Sequence, residues 1–263
     1  MNQTPFDQQL VLSQRDGEIA ILTLNNPARR NALSLRMREV LYQHVLALEH
    51  DETVGAIVLT GAGGQFCAGG DLSEMHQRPM LEARLRMELP TRIFKLLVTG
   101  PKPFLVAAEG NVAGVGLSLL AASDYAVAAS DAHLSCAFIK VGLAPDAGGL
   151  WSIPRRVGRR KALELCALGE PFDAAEALSI GMINAVSPPG EALAQAILVA
   201  RKFARQPPVA MALLRSALSV GADTLDQAIN TEIGIQGALM NTADFGEAAS
   251  AFMQKRAPVF EGR

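Results

Sequence analysis

Cysteine is scarce in this chain of 263 residues, which has only three: Cys67, Cys136 and Cys166. They cannot all pair with one another, and none stands in a C-x-x-C motif. This pattern argues against a disulfide framework or a zinc knuckle and is typical of a reduced, cytosolic protein. The first residues, MNQTPFDQQL, lack the basic and apolar regions of a secretion signal, so we expect a cytoplasmic location.

Excess charge of either sign is also missing, because 24 lysines and arginines face 26 aspartates and glutamates. Without a basic excess the chain has little to neutralise a nucleic-acid backbone, and we expect no nucleic-acid partner. No apolar run reaches the roughly 18 residues that a membrane helix needs, so we expect no membrane partner. Charged residues make up only 19%, a low share that suggests burial of surface against sister subunits.

Apolar residues are abundant, at 49%, and they form strand and helix patterns in alternation. Asp16-Gly17 between two apolar runs predicts a β-hairpin, and short apolar runs at 54–60 and 104–109 predict buried strands. Ser34 can cap a helix whose apolar residues recur at helical spacing. Strands alternating with helices indicate the α/β class, and the frequent pairing of strands favours a spiral of ββα units. Further helices are predicted over 81–99, 114–122, 192–205, 209–220, 225–240 and 243–255.

The apolar pattern of the sequence changes near residue 191, because only helical patterns follow that position. Gly221 and the pair Pro207-Pro208 separate these helices. We therefore predict two regions, a mixed core over 1–199 and a helical C-terminal region over 200–263.

Two glycine-rich turns, at 66–72 and 111–116, carry the strongest chemical signal. Each follows a predicted strand and is predicted to open a helix, which leaves backbone N–H groups unpaired. Two such turns facing each other would hold one carbonyl oxygen, and would hold it more tightly as an enolate. Either turn alone more often serves close packing of a helix on a strand.

The chain resembles the enoyl-CoA hydratase/isomerase family, or crotonase superfamily, over nearly its whole length. The resemblance rests on NPARRNAL at 26–33, GQFCAGGDL at 64–72, AGVG at 113–116, GLAPDAGG at 142–149, the segment 174–181 and the tail 252–260. It implies a crotonase-like spiral core with a helical C-terminal trimerisation region, in a homotrimer or a dimer of trimers. It also implies an acyl-CoA thioester as substrate, with no metal and no separate cofactor.

The resemblance assigns two oxyanion-binding N–H groups to Gly70 and Val115, although many members have glycine at the second position. Asp146 is similar to the single catalytic aspartate of the family's isomerases, notably the ring-opening 1,2-epoxyphenylacetyl-CoA isomerase group of phenylacetate degradation. Ser118 and Phe138 stand where hydratases of the family have two glutamates, and neither can act as a carboxylate base. Contacts with acyl-CoA are expected from Ala28, Arg30, Ala32, Ala68, Gly69, Asp71, Leu72, Gly114, Phe138, Phe252 and Lys255.

Three functions are compatible with these residues, and the first is favoured. In an isomerase, Asp146 would move a proton between two carbons of a dienolate, and burial beside Phe138 should raise its pKa. In a hydratase or another enzyme of the family, such as a thioesterase, Asp146 would act with water. The third possibility is a non-catalytic protein that binds acyl-CoA. Without the resemblance, Asp146 would be interpreted as a helix cap or turn residue, and Arg30 equally well as a solvated loop arginine.

Overall fold

A computed structural model describes residues 9–263, so most of the segment MNQTPFDQQL lies outside the described residues. The chain begins with the predicted antiparallel hairpin, β1 (Val11–Asp16) and β2 (Ile19–Leu24). It continues through α1 (Leu35–Glu49), β3 (Ala56–Gly61), α2 (Met80–Arg86), α3 (Glu88–Thr99), β4 (Phe104–Ala108), β5 (Asn111–Ala113), α4 (Val115–Ala122), β6 (Tyr125–Ala129) and β7 (His133–Ser135). It ends with α5 (Gly149–Leu168), β8 (Pro171–Asp173), α6 (Ala174–Ser179), β9 (Ala185–Ser187), α7 (Ala192–Ala204), α8 (Pro208–Val220), α9 (Leu225–Leu239) and α10 (Ala243–Gln254).

The core is built on a six-stranded sheet in the order β1-β2-β3-β4-β6-β9, in which all neighbours except β1 and β2 run parallel. The inner strands β2, β3, β4 and β6 are apolar on both sides because helices cover both faces, whereas the edge strand β1 is largely polar and exposed. On one face, three alanines of α7 at helical spacing pack on the strands, and all three are fully buried: Ala192, Ala196 and Ala200. A second sheet, β5-β7-β8, adjoins the first. The expected α/β class is confirmed.

Most predicted elements are present, and one predicted helix differs. The helix predicted over 81–99 is two helices, α2 and α3, which meet at Met87. Pro90 lies in the first turn of α3, where backbone N–H groups have no intrahelical acceptor, so it does not break the helix. The predicted division after residue 199 falls inside α7, which packs on the sheet, and the boundary between the two regions stays a prediction. Within residues 9–263, no helix combines the length and apolar character needed to cross a bilayer.

Candidate active site

The two glycine-rich turns lie side by side because the segments that lead into them pair in parallel. The backbone N–H of Cys67 donates to the carbonyl of Asn111 at 2.9 Å, and the N–H of Ala113 donates to the carbonyl of Cys67, also at 2.9 Å. The second turn opens α4 as predicted. The first turn was predicted to open a helix as well, but it leads only into a single 3-10 turn over Leu72–Glu74.

Gly69 and Gly114 form the contact between the turns. Both have positive φ, 110° and 53°, which favours glycine. A Cβ atom on Gly114 would lie 3.5 Å from the Cα of Gly69, so the two backbones touch. This contact brings the next residues, Gly70 and Val115, to the wall of one pocket. Among the described residues, neither the N–H of Gly70 nor that of Val115 donates a hydrogen bond, so both are free to bind an oxygen.

The pocket beside these two amides has a volume of about 100 Å³. Eight residues expected from the sequence line it: Ala68, Gly69, Gly70, Leu72, Gly114, Val115, Phe138 and Asp146. Five further lining residues were not foreseen: Arg38, Met75, Ala137, Val141 and Leu143. Most of these side chains are apolar, so a small carbon chain would fit the lining.

Asp146 lies in the loop before α5 and lines the pocket. Its alternative role as a helix cap is wrong, because α5 is capped by Gly148 without any side-chain hydrogen bond. Its alternative place in a turn is confirmed, since the N–H of Gly149 donates to the carbonyl of Asp146 at 2.8 Å. The Oδ1 atom is buried and has no hydrogen-bond partner among the described residues. Burial raises the pKa of Asp146, against the opposing charge of Arg38 and a hydrogen bond from its own backbone N–H. The rise in the pKa of Asp146 that the sequence predicted is confirmed.

The two positions that carry glutamates in hydratases are placed differently from each other. Phe138 lines the pocket and is only 8% exposed. Ser118 is fully buried on α4 and packs under the start of α5, where a Cβ on Gly149 would lie 2.5 Å from its Oγ. Asp146 is therefore the only carboxylate lining the pocket within the part of the chain that the structure describes.

The loop expected to hold CoA runs alongside the first glycine turn. The N–H of Ala68 donates to the carbonyl of Arg30 at 2.9 Å, and the N–H of Leu33 donates to the carbonyl of Gly69 at 2.8 Å. This loop contains the three residues expected to contact CoA. Ala28 and Arg30 are exposed, and Ala32 is half-buried. The loop and the amide of Gly70 are thus held together by backbone hydrogen bonds.

Three other expected contacts do not line the pocket within this chain. The carboxylate of Asp71 accepts from the N–H of Ser73 at 3.0 Å and pairs with Arg29 at 3.0 Å, so it fixes the first turn. Phe252 and Lys255 lie at the end of α10, both exposed, with Phe252 at 83%. Contacts of these three residues with CoA stay predictions.

Arg38 is the one charged lining residue that the sequence analysis missed. It lies on α1 and is 3% exposed. A signal was present, because Arg38 is three residues from Leu41 and seven from Val45, on the apolar stripe of that helix. Charged side chains are rarely buried unless they are paired, so an arginine on the buried stripe of a helix indicates a structural or functional role.

The family described as Enoyl-CoA hydratase/isomerase matches residues 14–263, and the chain belongs to that family. It is 36% identical over 264 residues to 1,2-epoxyphenylacetyl-CoA isomerase of Escherichia coli K12, with 97% of this chain and 99% of the relative covered. It is 34% identical over 256 residues to the 2,3-dehydroadipyl-CoA hydratase of the same organism, covering 97% and 99%.

Solved structures confirm the crotonase-like fold. The crystal structure of an enoyl-CoA hydratase from Polaromonas sp. JS666 matches with a TM-score of 0.90 at 33% identity, covering 95% of this chain and 99% of that one. The relatives include both an isomerase and hydratases. The chain is thus an enzyme of the enoyl-CoA hydratase/isomerase family, whose members act on acyl-CoA substrates.

Proposed function

We propose that this enzyme is an acyl-CoA double-bond isomerase in which Asp146 moves the proton. One observation carries the proposal: Asp146 is the only carboxylate lining the pocket among the described residues. The family resemblance implies that hydratases use two glutamates to activate water. In this chain Phe138 and the buried Ser118 stand at those two positions. A single carboxylate is sufficient for isomerisation, because the same group removes and returns the proton.

With a 3-enoyl thioester, the carboxylate of Asp146 takes a proton from carbon 2. The electron pair delocalises to the thioester oxygen, which carries the negative charge of the dienolate. The N–H groups of Gly70 and Val115 stabilise that oxygen. The carboxyl group of Asp146 then returns the proton to carbon 4, which gives the 2-enoyl isomer and restores the carboxylate. Its raised pKa makes the carboxylate a better acceptor for a carbon-bound proton.

For CoA we propose a path along the exposed loop of Ala28, Arg30 and Ala32, with Arg30 as a phosphate contact. The backbone link of this loop to Ala68 supports the path, because it places the loop next to the Gly70 amide. Phe252 and Lys255 would reach CoA from the end of α10, in the same subunit or a neighbouring one.

We also propose the expected homotrimer or dimer of trimers and a cytoplasmic location. Large apolar side chains on the C-terminal helices support an oligomer, since they are strongly exposed in the single chain: Leu218, Val220, Leu225, Ile233 and Met253. Exposed apolar surface of this kind favours association with another protein surface.

The test of the isomerase is Asp146→Asn, assayed with 2-enoyl-, 3-enoyl- and aryl-acetyl-CoA thioesters and product detection by mass. We expect isomerisation without mass change in the wild type and a loss of about 100- to 10,000-fold in the variant. Binding of a saturated acyl-CoA should stay within about threefold, because Asn keeps the shape of Asp. Asp131→Asn, at an exposed turn, is the matched control and should be fully active.

Each other outcome identifies a different function. A product heavier by one water would show a hydratase, and free CoA would show thioester hydrolysis. Binding without turnover across the panel would favour a non-catalytic protein. Unchanged isomerisation by Asp146→Asn would remove this residue from the mechanism.

A further inference from the structure

Arg38 is a buried cation that forms no ion pair with the residues that the structure describes. Its side chain is almost completely buried, and its Nε has no hydrogen-bond partner among the described residues. No ion pair within residues 9–263 includes it. Burial lowers the pKa of the Arg38 guanidinium, which reflects the unfavourable desolvation of its charge. Since such a group destabilises a fold, its presence calls for a functional explanation.

Arg38 lines the same pocket as the two reactive parts of the site, Asp146 and Gly70. Its Nη2 is so close to Gly70 that a Cβ there would lie 3.0 Å away. Asp146 is not within ion-pair distance of Arg38, and its own Oδ1 lacks a partner among the described residues. Two opposite charges therefore face one small pocket without touching each other.

The other charges near Arg38 are largely compensated. Glu74 pairs with Arg86 at 3.3 Å. The negative charge of Glu74 raises the pKa of Arg38 and the positive charge of Arg86 lowers it, so their effects oppose each other. The nearby Cys67 thiol is neutral, because burial raises its pKa to about 11. Arg38 is the one charged residue that perturbs Asp146, so it provides the positive charge of the pocket.

We infer that the positive charge of Arg38 is the fixed counter-ion of the enolate. During the reaction the negative charge moves from Asp146 to the thioester oxygen at Gly70, and the guanidinium of Arg38 stabilises it there. This inference rests on the proposed function, because that function requires the charge to move. Arg38 itself neither donates nor accepts a proton.

The direction of charge movement explains how Arg38 would accelerate the reaction. Proton transfer makes Asp146 neutral and the thioester oxygen negative, so the total charge in the pocket does not change. Nη2 lies beside Gly70, whose amide binds the oxygen in the proposed mechanism, whereas Arg38 and Asp146 form no ion pair, so the charge moves to the side of the cation as the enolate forms. The interaction is then stronger in the transition state than in the bound substrate, which is the condition for a higher kcat.

The test compares Arg38→Met, Arg38→Lys and the control Arg36→Met, which changes a residue on the same helix that pairs with Glu39. With an unsubstituted 3-enoyl-CoA, we expect Arg38→Met to lower kcat about 10- to 100-fold. The affinity for a saturated acyl-CoA should stay within about threefold, because that ligand develops no charge. Arg38→Lys should recover part of kcat, since it keeps a positive charge, and Arg36→Met should retain wild-type turnover.

Two further readouts separate this role from a structural one. Without Arg38, the Asp146 carboxylate loses a stabilising cation, so the acidic limb of the kcat/KM profile should move to higher pH. The unfolding temperature of Arg38→Met should be equal to or above that of the wild type, because an unpaired buried charge is removed. A lower unfolding temperature, or equal losses of kcat and affinity, would overturn the inference.

Deuterium exchange at carbon 2 in D2O distinguishes this inference from the proposed function. If the wild type exchanges this hydrogen without isomerising the substrate, the isomerase proposal fails, and the exchange rate of Arg38→Met still tests the counter-ion. If the wild type isomerises and Arg38→Met matches it in turnover and exchange, only the counter-ion inference fails. If the wild type neither exchanges nor isomerises, both fail.

Discussion

Gly116 lies directly against the carbonyl group of Cys67, and a Cβ at residue 116 would come within 2.6 Å of that oxygen. The same Cβ would be 2.9 Å from the Cβ of Cys67, so no flexible side chain can give way. This contact sets the spacing between α4 and the first glycine turn. The distance between the amides of Gly70 and Val115 depends on it.

Replacing Gly116 by alanine should therefore push the two turns apart. We expect kcat to fall at least about tenfold, because displacements on the order of 1 Å at a catalytic group can cost about 100-fold. The measurement is kcat for 3-enoyl-CoA isomerisation. Gly234→Ala is the control, since a Cβ on this glycine of α9 would meet nothing within 4 Å. Full activity of Gly116→Ala would show that the amide spacing is not limiting.

Asn31 holds the expected CoA loop against the glycine-rich segment that precedes the first turn. It is fully buried, and its Nδ2 donates to the carbonyls of Ala62 at 2.9 Å and Gln65 at 2.6 Å. In Asn31→Asp a carboxylate oxygen would face these two carbonyls, and we expect a loss of about 2 kcal/mol in the free energy of unfolding. Asn230→Asp, on the exposed side of α9, should change it little. Equal urea midpoints for the two variants would contradict the prediction.

Glu49, at the end of α1, makes stability depend on pH. Burial raises the pKa of Glu49 from 4.5 to about 7, against the opposing charges of Arg215 and Lys102. Between these values the folded protein binds more protons than the unfolded chain, so the contribution of Glu49 to stability falls as the pH rises. Glu49→Gln removes this effect and should stabilise the protein at pH 8 by about 1 kcal/mol, a value reduced for partial exposure.

Urea unfolding at pH 4.5 and pH 8 tests the role of Glu49. The difference between Glu49→Gln and the wild type should be small at pH 4.5 and should grow towards pH 8. Glu52→Gln, which removes the carboxylate of an exposed neighbour, is the control. A pH-independent effect of Glu49→Gln would rule out titration of this carboxyl.

An apolar stripe on α9 should form part of the subunit interface. Leu225, Ile229 and Ile233 follow each other at four-residue spacing and are 74%, 41% and 66% exposed in the single chain. Ile233→Glu would bury a charge in that interface, so we expect light scattering to give the mass of a dissociated chain. Glu232→Gln, beside it, should keep the wild-type mass. A wild-type monomer, or an intact oligomer of Ile233→Glu, would contradict the prediction.

Local sequence patterns were sufficient for much of this protein. The hairpin at Gly17, the cap at Ser34 and the four C-terminal helices follow from short-range rules of turn chemistry, capping and helical periodicity, which act within a few residues. The glycine turns were visible in the sequence itself, whereas the roles of Gly70, Val115 and Asp146 were assigned because the family resemblance connects segments that are far apart in the chain. The two helices α2 and α3 were predicted as one, although Pro90, a residue favoured in the first turn of a helix, marks the start of α3 just after Met87.

By itself, therefore, the sequence determined the α/β class and many of the elements, although α5, α6 and the short strands β7, β8 and β9 were not predicted. Only the tertiary structure decided that Arg38 joins the amide and carboxylate groups of the candidate site, that Ser118 is packed under α5, and that Asp71 pairs with Arg29. The reason is physical: a local pattern shows which face of a helix is buried, whereas the partners on that face come from segments 30 to 110 residues away, brought there by the packing of helices on the sheet.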